Sequence, residues 1–115
     1  DSISVRDTAV RRNMKENFYH GMLLGLLQSQ GSWIVKSNAE TGEGYSDISI
    51  QTPDRIGMII ELKYADDGNL EAACGEALRQ IEEKKYAEGL KRRGMKEIIK
   101  YGIAFCEKEC MVMMA

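Results

Sequence analysis

Residues 44–52, GYSDISIQT, and 56–64, IGMIIELKY, flank TPDRIG, which holds the only proline of the chain. Two β-rich runs joined by a Pro-Asp turn predict a hairpin in the middle of the protein. The hairpin carries charge in an unusual place. Asp47 stands among Ile48 and Ile50, and Glu61 and Lys63 interrupt Met58, Ile59, Ile60 and Leu62. Residues two apart on a strand share a face, so Glu61 and Lys63 point the same way as Ile59, about 7 Å apart along the strand. Asp47, Ser49 and Gln51 share one face of the preceding strand, and Ile48 and Ile50 take the other. Antiparallel pairing then lets Asp47 lie beside Glu61 near the open end of the hairpin.

Helical spacing brackets these strands. Between residues 8 and 28, Val10, Met14, Phe18, Met22, Leu23, Leu26 and Leu27 recur with helical period, with Asp7 as the expected N-cap and Gly31 as the expected stop. SWIVKSN (32–38) predicts a short strand with Trp33 and Val35 on one face, and the glycine-rich turn ETGEGY leads into the strand 46–51. Gly42 and Gly44 suit a tight or bulged turn there. Asn69 is expected to cap a single long helix over 70–93 whose apolar stripe runs through Leu70, Ala73, Cys74, Ala77, Ile81, Tyr86 and Leu90, with Gly94 ending it. EIIKYGIAF (97–105) and CMVMM (110–114) read as strands. The order α-β-β-β-α-β-β predicts one α/β domain over residues 1–115, with a mixed sheet flanked by helices.

Charge and cysteine content narrow the function. The 115 residues carry a formal net charge of -2. Residues 40–71 hold eight acids against Arg55 and Lys63, and residues 79–100 hold eight bases against four acids. An acidic centre beside a basic helix suits a metal cluster next to a polyanion track; the alternative is a solvated helix with pairs such as Glu88 and Arg92 four residues apart. No apolar run approaches the ~20 residues that span a bilayer, and the N-terminal residues do not read as a signal peptide. Three cysteines (Cys74, Cys106 and Cys110) and seven methionines fit a reducing cytoplasm. Cys106 and Cys110 are either half of a metal site or idle thiols.

Two carboxylates brought together away from water repel unless a cation neutralises them. An oxygen donor set with positions left for water suits Mg²⁺ or Mn²⁺ better than zinc. A lysine beside that pair is placed to hold an attacking water or a scissile phosphate, which is the chemistry of metal-assisted phosphodiester hydrolysis.

These residues resemble the PD-(D/E)xK nuclease superfamily, whose members include restriction endonucleases and Holliday junction resolvases. The resemblance extends to the nuclease-like domain at the C-terminus of bacterial AAA-ATPase-like proteins. It rests on ENFYHGMLLGLL (16–27), ETGEGYSDISI (40–50), IIELKY (59–64), EALRQIEEKKY (76–86) and IIKYGIAFCEKEC (98–110), which together cover most of the chain. Tyr45 departs from the pattern, standing where the family often carries a basic residue. The resemblance implies a restriction-endonuclease-like αβββαβ core and a Mg²⁺- or Mn²⁺-dependent DNA endonuclease. Asp47 and Glu61 would hold the metal with the backbone carbonyl of Leu62, and Lys63 would be catalytic.

Glu16 matches an acid that many members supply to a second metal or its water shell, and Gln80 matches a glutamine that often faces the active site. From the residues alone, both are polar positions on amphipathic helices. His20 lies four residues after Glu16, either helping the site or serving structure. Glu40 and Glu43 sit in the turn before Asp47, and Lys84, Lys85 and Tyr86 are candidates for DNA-backbone contact. Analogy with resolvases implies branched DNA, symmetric cutting and a homodimer; an AAA-ATPase-like domain would belong to a longer native chain. The chain itself contains no P-loop. The alternatives are a nucleic-acid-binding module without turnover and an interaction domain for an ATPase partner.

Overall fold

The hairpin forms as its sequence predicts and becomes the centre of a five-stranded mixed sheet. A computed structural model describes residues 5–39, 46–107 and 109–115. Its elements are α1 (Val5–Gln28), β1 (Ile34–Ala39), β2 (Ser46–Gln51), β3 (Ile56–Tyr64), α2 (Leu70–Lys84), α3 (Tyr86–Arg92), β4 (Glu97–Cys106) and β5 (Glu109–Met114). The strands lie side by side in the order β1-β2-β3-β4-β5. β3 and β4 run parallel, joined by the α2–α3 crossover, while the other neighbours are antiparallel. Ile48 faces Ile60 and Gln51 faces Gly57 across the β2–β3 ladder. The turn is closed by Thr52, whose N–H donates to Ile56 O at 3.0 Å and whose Oγ1 accepts from Ile56 N at 3.1 Å.

Alternation sorts the hairpin's side chains between two helical layers. Ile48, Ile50 and Ile60 pack beneath α1 against Leu23, Leu24 and Leu27, and Trp33 and Val35 join the same cluster. Ile59 points to the opposite layer and packs with Ile81 of α2 and Leu90 of α3. β3 is therefore covered on both faces, which explains its nearly continuous apolar run. Gly102 lets α2 approach β4. A Cβ there would stand 2.5 Å from the carbonyl oxygen of Cys74, a backbone atom that cannot rotate away. Cys74 itself is buried, its thiol donating to Met111 O at 3.3 Å, and burial pushes its pKa up.

Four expectations are corrected. α1 begins at Val5, so Asp7 lies inside the helix rather than capping it. The first strand starts at Ile34, one residue after Trp33. The single helix expected over 70–93 is two helices, because Lys85 takes a left-handed conformation (φ 57°) and ends α2 through its N–H to Glu82 O. No glycine marks this break; Tyr86, Ala87 and Leu90 dock on the Ile59–Ile81 core, and that packing redirects the chain. Finally, the Met14, Phe18, Met22 and Leu26 stripe faces outwards, 49–67% exposed, while Leu23, Leu24 and Leu27 pack inwards.

Asn69 caps α2 as expected, its side chain accepting from Ala72 N at 3.1 Å. Gly94 follows α3 with φ 92°. The turn holding Glu40, Gly42, Glu43, Gly44 and Tyr45 lies outside the described residues. Among the described residues no helix is long and apolar enough to cross a membrane.

Candidate active site

The β2–β3 register brings the two acids together. Ile48 pairs with Ile60, so one step towards the open end sets Asp47 next to Glu61, on the face that Ser49 shares with Ile59. Both carboxylates are sealed from solvent, Asp47 at 0% and Glu61 at 1% exposure. The ammonium of Lys84, the last residue of α2, lies between them, 3.3 Å from Asp47 Oδ1 and 3.3 Å from Glu61 Oε1. The other oxygens, Asp47 Oδ2 and Glu61 Oε2, are buried and have no hydrogen-bond partner among the described residues. Burial, reinforced by the adjacent Glu61 carboxylate, pushes the Asp47 carboxyl up to about 8; Lys84 pulls it back only in part.

A second group adjoins the first where β3 ends. Lys63 is buried and lines a recess of about 130 Å³ with Arg12, Glu16, Tyr64, Ala73, Glu76 and Gln80. Glu16 reaches this recess from α1. Its Oε2 accepts the Tyr64 N–H at 2.8 Å, and its Oε1 is buried without a hydrogen-bond partner among the described residues. Burial raises the Glu16 pKa, against the opposing pull of the Tyr64 N–H, Lys63 and Arg12. Arg12 also reaches Asp66 at 3.4 Å, tying α1 to the loop after β3.

Lys84, which bridges the acidic pair, also lines a groove of about 480 Å³ with Ser49, Lys85, Tyr86, Arg92 and Arg93, among others. Lys85 is exposed there, while Tyr86 is half-buried against the core. Lys84, a candidate for DNA-backbone contact, lines the groove and reaches the two carboxylates with its ammonium. His20 does not join either group: its Nε2 lies 2.9 Å from Ser37 Oγ. Ser37 pairs with Ile48 and so shares the α1 side of the sheet, opposite to Asp47 and Glu61.

The donor set suits a hard divalent cation. Two adjacent carboxylates each keep a buried oxygen with no hydrogen-bond partner among the described residues, and such acceptors are costly unless a cation or donor reaches them. Ala65 N–H bonds Phe105 O across to β4, whereas Tyr64 N–H points to the opposite edge and meets Glu16. The Leu62 carbonyl, two residues before Tyr64, lies on that same edge by the period of the strand. Among the described residues no three His, Cys, Asp or Glu side chains converge, so Glu16 does not complete a three-carboxylate cluster.

Comparison with known proteins bears on this arrangement directly. The PD-(D/E)XK nuclease superfamily is matched over residues 14–115. The chain belongs to the PD-(D/E)XK nuclease superfamily. No curated protein and no solved structure matches it. The α/β fold, with its five-stranded mixed sheet between helices, agrees with a restriction-endonuclease-like domain of that superfamily. Nucleases of the PD-(D/E)XK type generally use divalent metal ions, and a nuclease domain binds nucleic acid.

Two residues of this candidate site, Arg12 and Glu76, went unread in the sequence, and Lys84 was read only as a DNA-backbone contact. Arg12 and Glu76 line the recess, and each precedes a predicted site residue by four positions: Arg12 before Glu16, Glu76 before Gln80. Lys84 stands four positions after Gln80. Glu76, Gln80 and Lys84 therefore form one stripe along α2, and four-residue spacing from Gln80 was the signal that could have found both ends.

Proposed function

We propose that this chain is a Mg²⁺- or Mn²⁺-dependent nuclease domain that hydrolyses phosphodiester bonds in DNA. The observation that carries the reading is the pair of adjacent, buried carboxylates with partnerless oxygens, next to Lys63 on the same strand. Asp47 and Glu61, with the Leu62 carbonyl, would hold the ion. When bound, the divalent cation supplies Lewis-acid charge at the phosphate and makes a water a competent nucleophile near neutral pH.

The chain's own residues do the rest. Lys63, two residues from Glu61 on one face, holds the attacking water and offsets the charge that builds on the phosphate. Glu16 receives a hydrogen bond from the β3 backbone and keeps an acceptor free for the water shell of the site. Gln80 shares the recess and orients groups within it. Lys85, Tyr86, Arg92 and Arg93 line the track for the sugar–phosphate backbone, and cleavage leaves a 3′-hydroxyl and a 5′-phosphate. His20, bonded to Ser37, acts by seating α1 on β1. The outward stripe Met14, Phe18, Met22 and Leu26 is the surface through which two copies would pair to cut a branched substrate on both strands. An AAA-ATPase-like domain would sit elsewhere in a longer native chain.

The Lys84 bridge favours a second reading, in which the acids and lysine form a structural ion-pair triad and the domain binds nucleic acid without cutting. The test incubates protein with labelled four-way junction, linear duplex and single-stranded DNA in Mg²⁺, Mn²⁺ or EDTA. Metal-dependent cleavage that falls on the order of 10²- to 10⁴-fold in Lys63→Ala and disappears in Asp47→Ala is the expected result. Binding without cleavage in any metal would establish the second reading instead. Cutting of linear duplex as fast as of the junction would remove branch selectivity.

A further inference from the structure

Lys84 is tied to both site carboxylates, yet it belongs to the groove as well. Its ammonium stands 3.3 Å from one oxygen of Asp47 and 3.3 Å from one oxygen of Glu61, and the two remaining oxygens have no hydrogen-bond partner among the described residues. Two carboxylates and one ammonium carry a net charge of one negative unit when all are ionised. A divalent ion in place of the ammonium would neutralise the pair completely. Ion and ammonium together would leave one positive charge in a place sealed from water, where like charges lie a few ångströms apart. The two cations therefore exclude each other.

Displacement of Lys84 has a defined destination. The residue ends α2, its side chain is 16% exposed, and it lines the groove shared by Ser49, Lys85, Arg92 and Arg93. The flexible four-carbon stem of a lysine can move its charge from the carboxylates into that groove by rotating side-chain bonds alone.

We propose that Lys84 is an exchangeable counter-ion: it bridges Asp47 and Glu61 before metal arrives, and when a divalent cation takes its place it swings into the groove to bind a phosphate of the nucleic acid. This rests on the nuclease reading above for the existence of a cation to exchange with. Metal binding then adds a positive charge to the polyanion track. By reciprocity of linked equilibria, the polyanion tightens metal by the same factor. The lysine thus couples the two ligands and keeps the metal-free site closed.

The test reads Lys84 itself. Wild-type protein is treated with limiting acetic anhydride in EDTA, Ca²⁺ or Mg²⁺, and acetylation at each lysine is measured by mass spectrometry. Lys85, the exposed neighbour, serves as internal reference, and calorimetry records metal binding in the same buffers. Acetylation of Lys84 relative to Lys85 should rise on the order of tenfold with metal, within the usual range of couplings between linked sites. Binding heat without any change at Lys84 overturns the exchange and leaves the nuclease reading standing; absence of metal binding overturns both. Lys84→Met, which keeps the length and removes the charge, supplies an independent readout. It should bind Ca²⁺ about tenfold more tightly and lose the Ca²⁺-dependent gain in affinity for a fluorescein-labelled duplex. Weaker Ca²⁺ binding by a folded Lys84→Met protein also overturns the exchange.

Discussion

Replacing Asp47 by Asn separates the stability of the fold from the chemistry of the site. In the metal-free wild type, Glu61 and Lys84 balance each other's charge, and the second carboxyl is surplus. That surplus, together with burial, lifts Asp47 from its ordinary 3.8 to about 8. A carboxyl with a higher pKa in the folded than in the unfolded state holds a proton that the unfolded chain has already released. Stability is therefore lost as pH rises from about 4 to about 8, at up to ~1.4 kcal/mol per pH unit for one proton. Between pH 5 and pH 8 this amounts to roughly 4 kcal/mol as an upper figure, or a melting-temperature difference of about 15 °C for a domain of this size. Asn is nearly isosteric, cannot ionise and leaves the Glu61–Lys84 pair intact. Thermal unfolding in EDTA at a series of pH values should show Asp47→Asn gaining on the wild type as pH rises, while cleavage in Mg²⁺ disappears. A wild-type minus variant difference that is flat from pH 5 to pH 8 would refute the reasoning, because the Asp47 carboxyl would then be as easily ionised inside the protein as outside.

Other perturbations probe separate parts of the structure. Stabilisation of the wild type by Mg²⁺ should grow from pH 6 to pH 8, since the ion must displace the Asp47 proton; equal shifts in melting temperature at both pH values would contradict this. Gly102→Ala should cost about 1–3 kcal/mol in urea unfolding, because its methyl group meets the Cys74 carbonyl oxygen at 2.5 Å and α2 must move off β4. Phe18→Glu, placed on the outward α1 stripe, should leave the melting temperature within a few degrees of wild type and convert any dimer to monomer in analytical ultracentrifugation. Glu16→Gln keeps an acceptor for the Tyr64 N–H and removes a buried ionisable group, so it should hold or raise stability at pH 8 while slowing cleavage.

The fold was legible where periodicity and punctuation agreed. Alternation in SDISIQ and the Pro53 turn specify both the β2–β3 pairing and its faces, and one consequence is that Asp47 and Glu61 meet. The E-x-K spacing puts Lys63 on their face without any knowledge of the rest of the chain. What failed were features decided by packing at a distance. Spacing shows that α1 has apolar positions but not which of them face the sheet: Met14, Phe18, Met22 and Leu26 are as regularly placed as Leu23, Leu24 and Leu27, yet only the latter reach Ile48, Ile50 and Ile60. The break at Lys85 was invisible for the same reason, since EEKKY contains neither glycine nor proline and the left-handed residue is imposed by the docking of Tyr86 and Leu90.

That hidden break bears on the chemistry. Had α2 continued, Lys84 would be one more basic residue on a helix whose charges read as a solvated track. Because the chain turns at Lys85, Lys84 becomes a terminal residue at the junction between the buried acids and the groove beside α3. A lysine on such a junction has two low-energy destinations, separated by rotations of its own side chain, and the charge on the acids decides between them. The sequence carries the stripe Glu76, Gln80, Lys84 that aims it at the site. In the proposed exchange the choice between carboxylate and phosphate belongs to the ligands, and a single metal ion would reverse it.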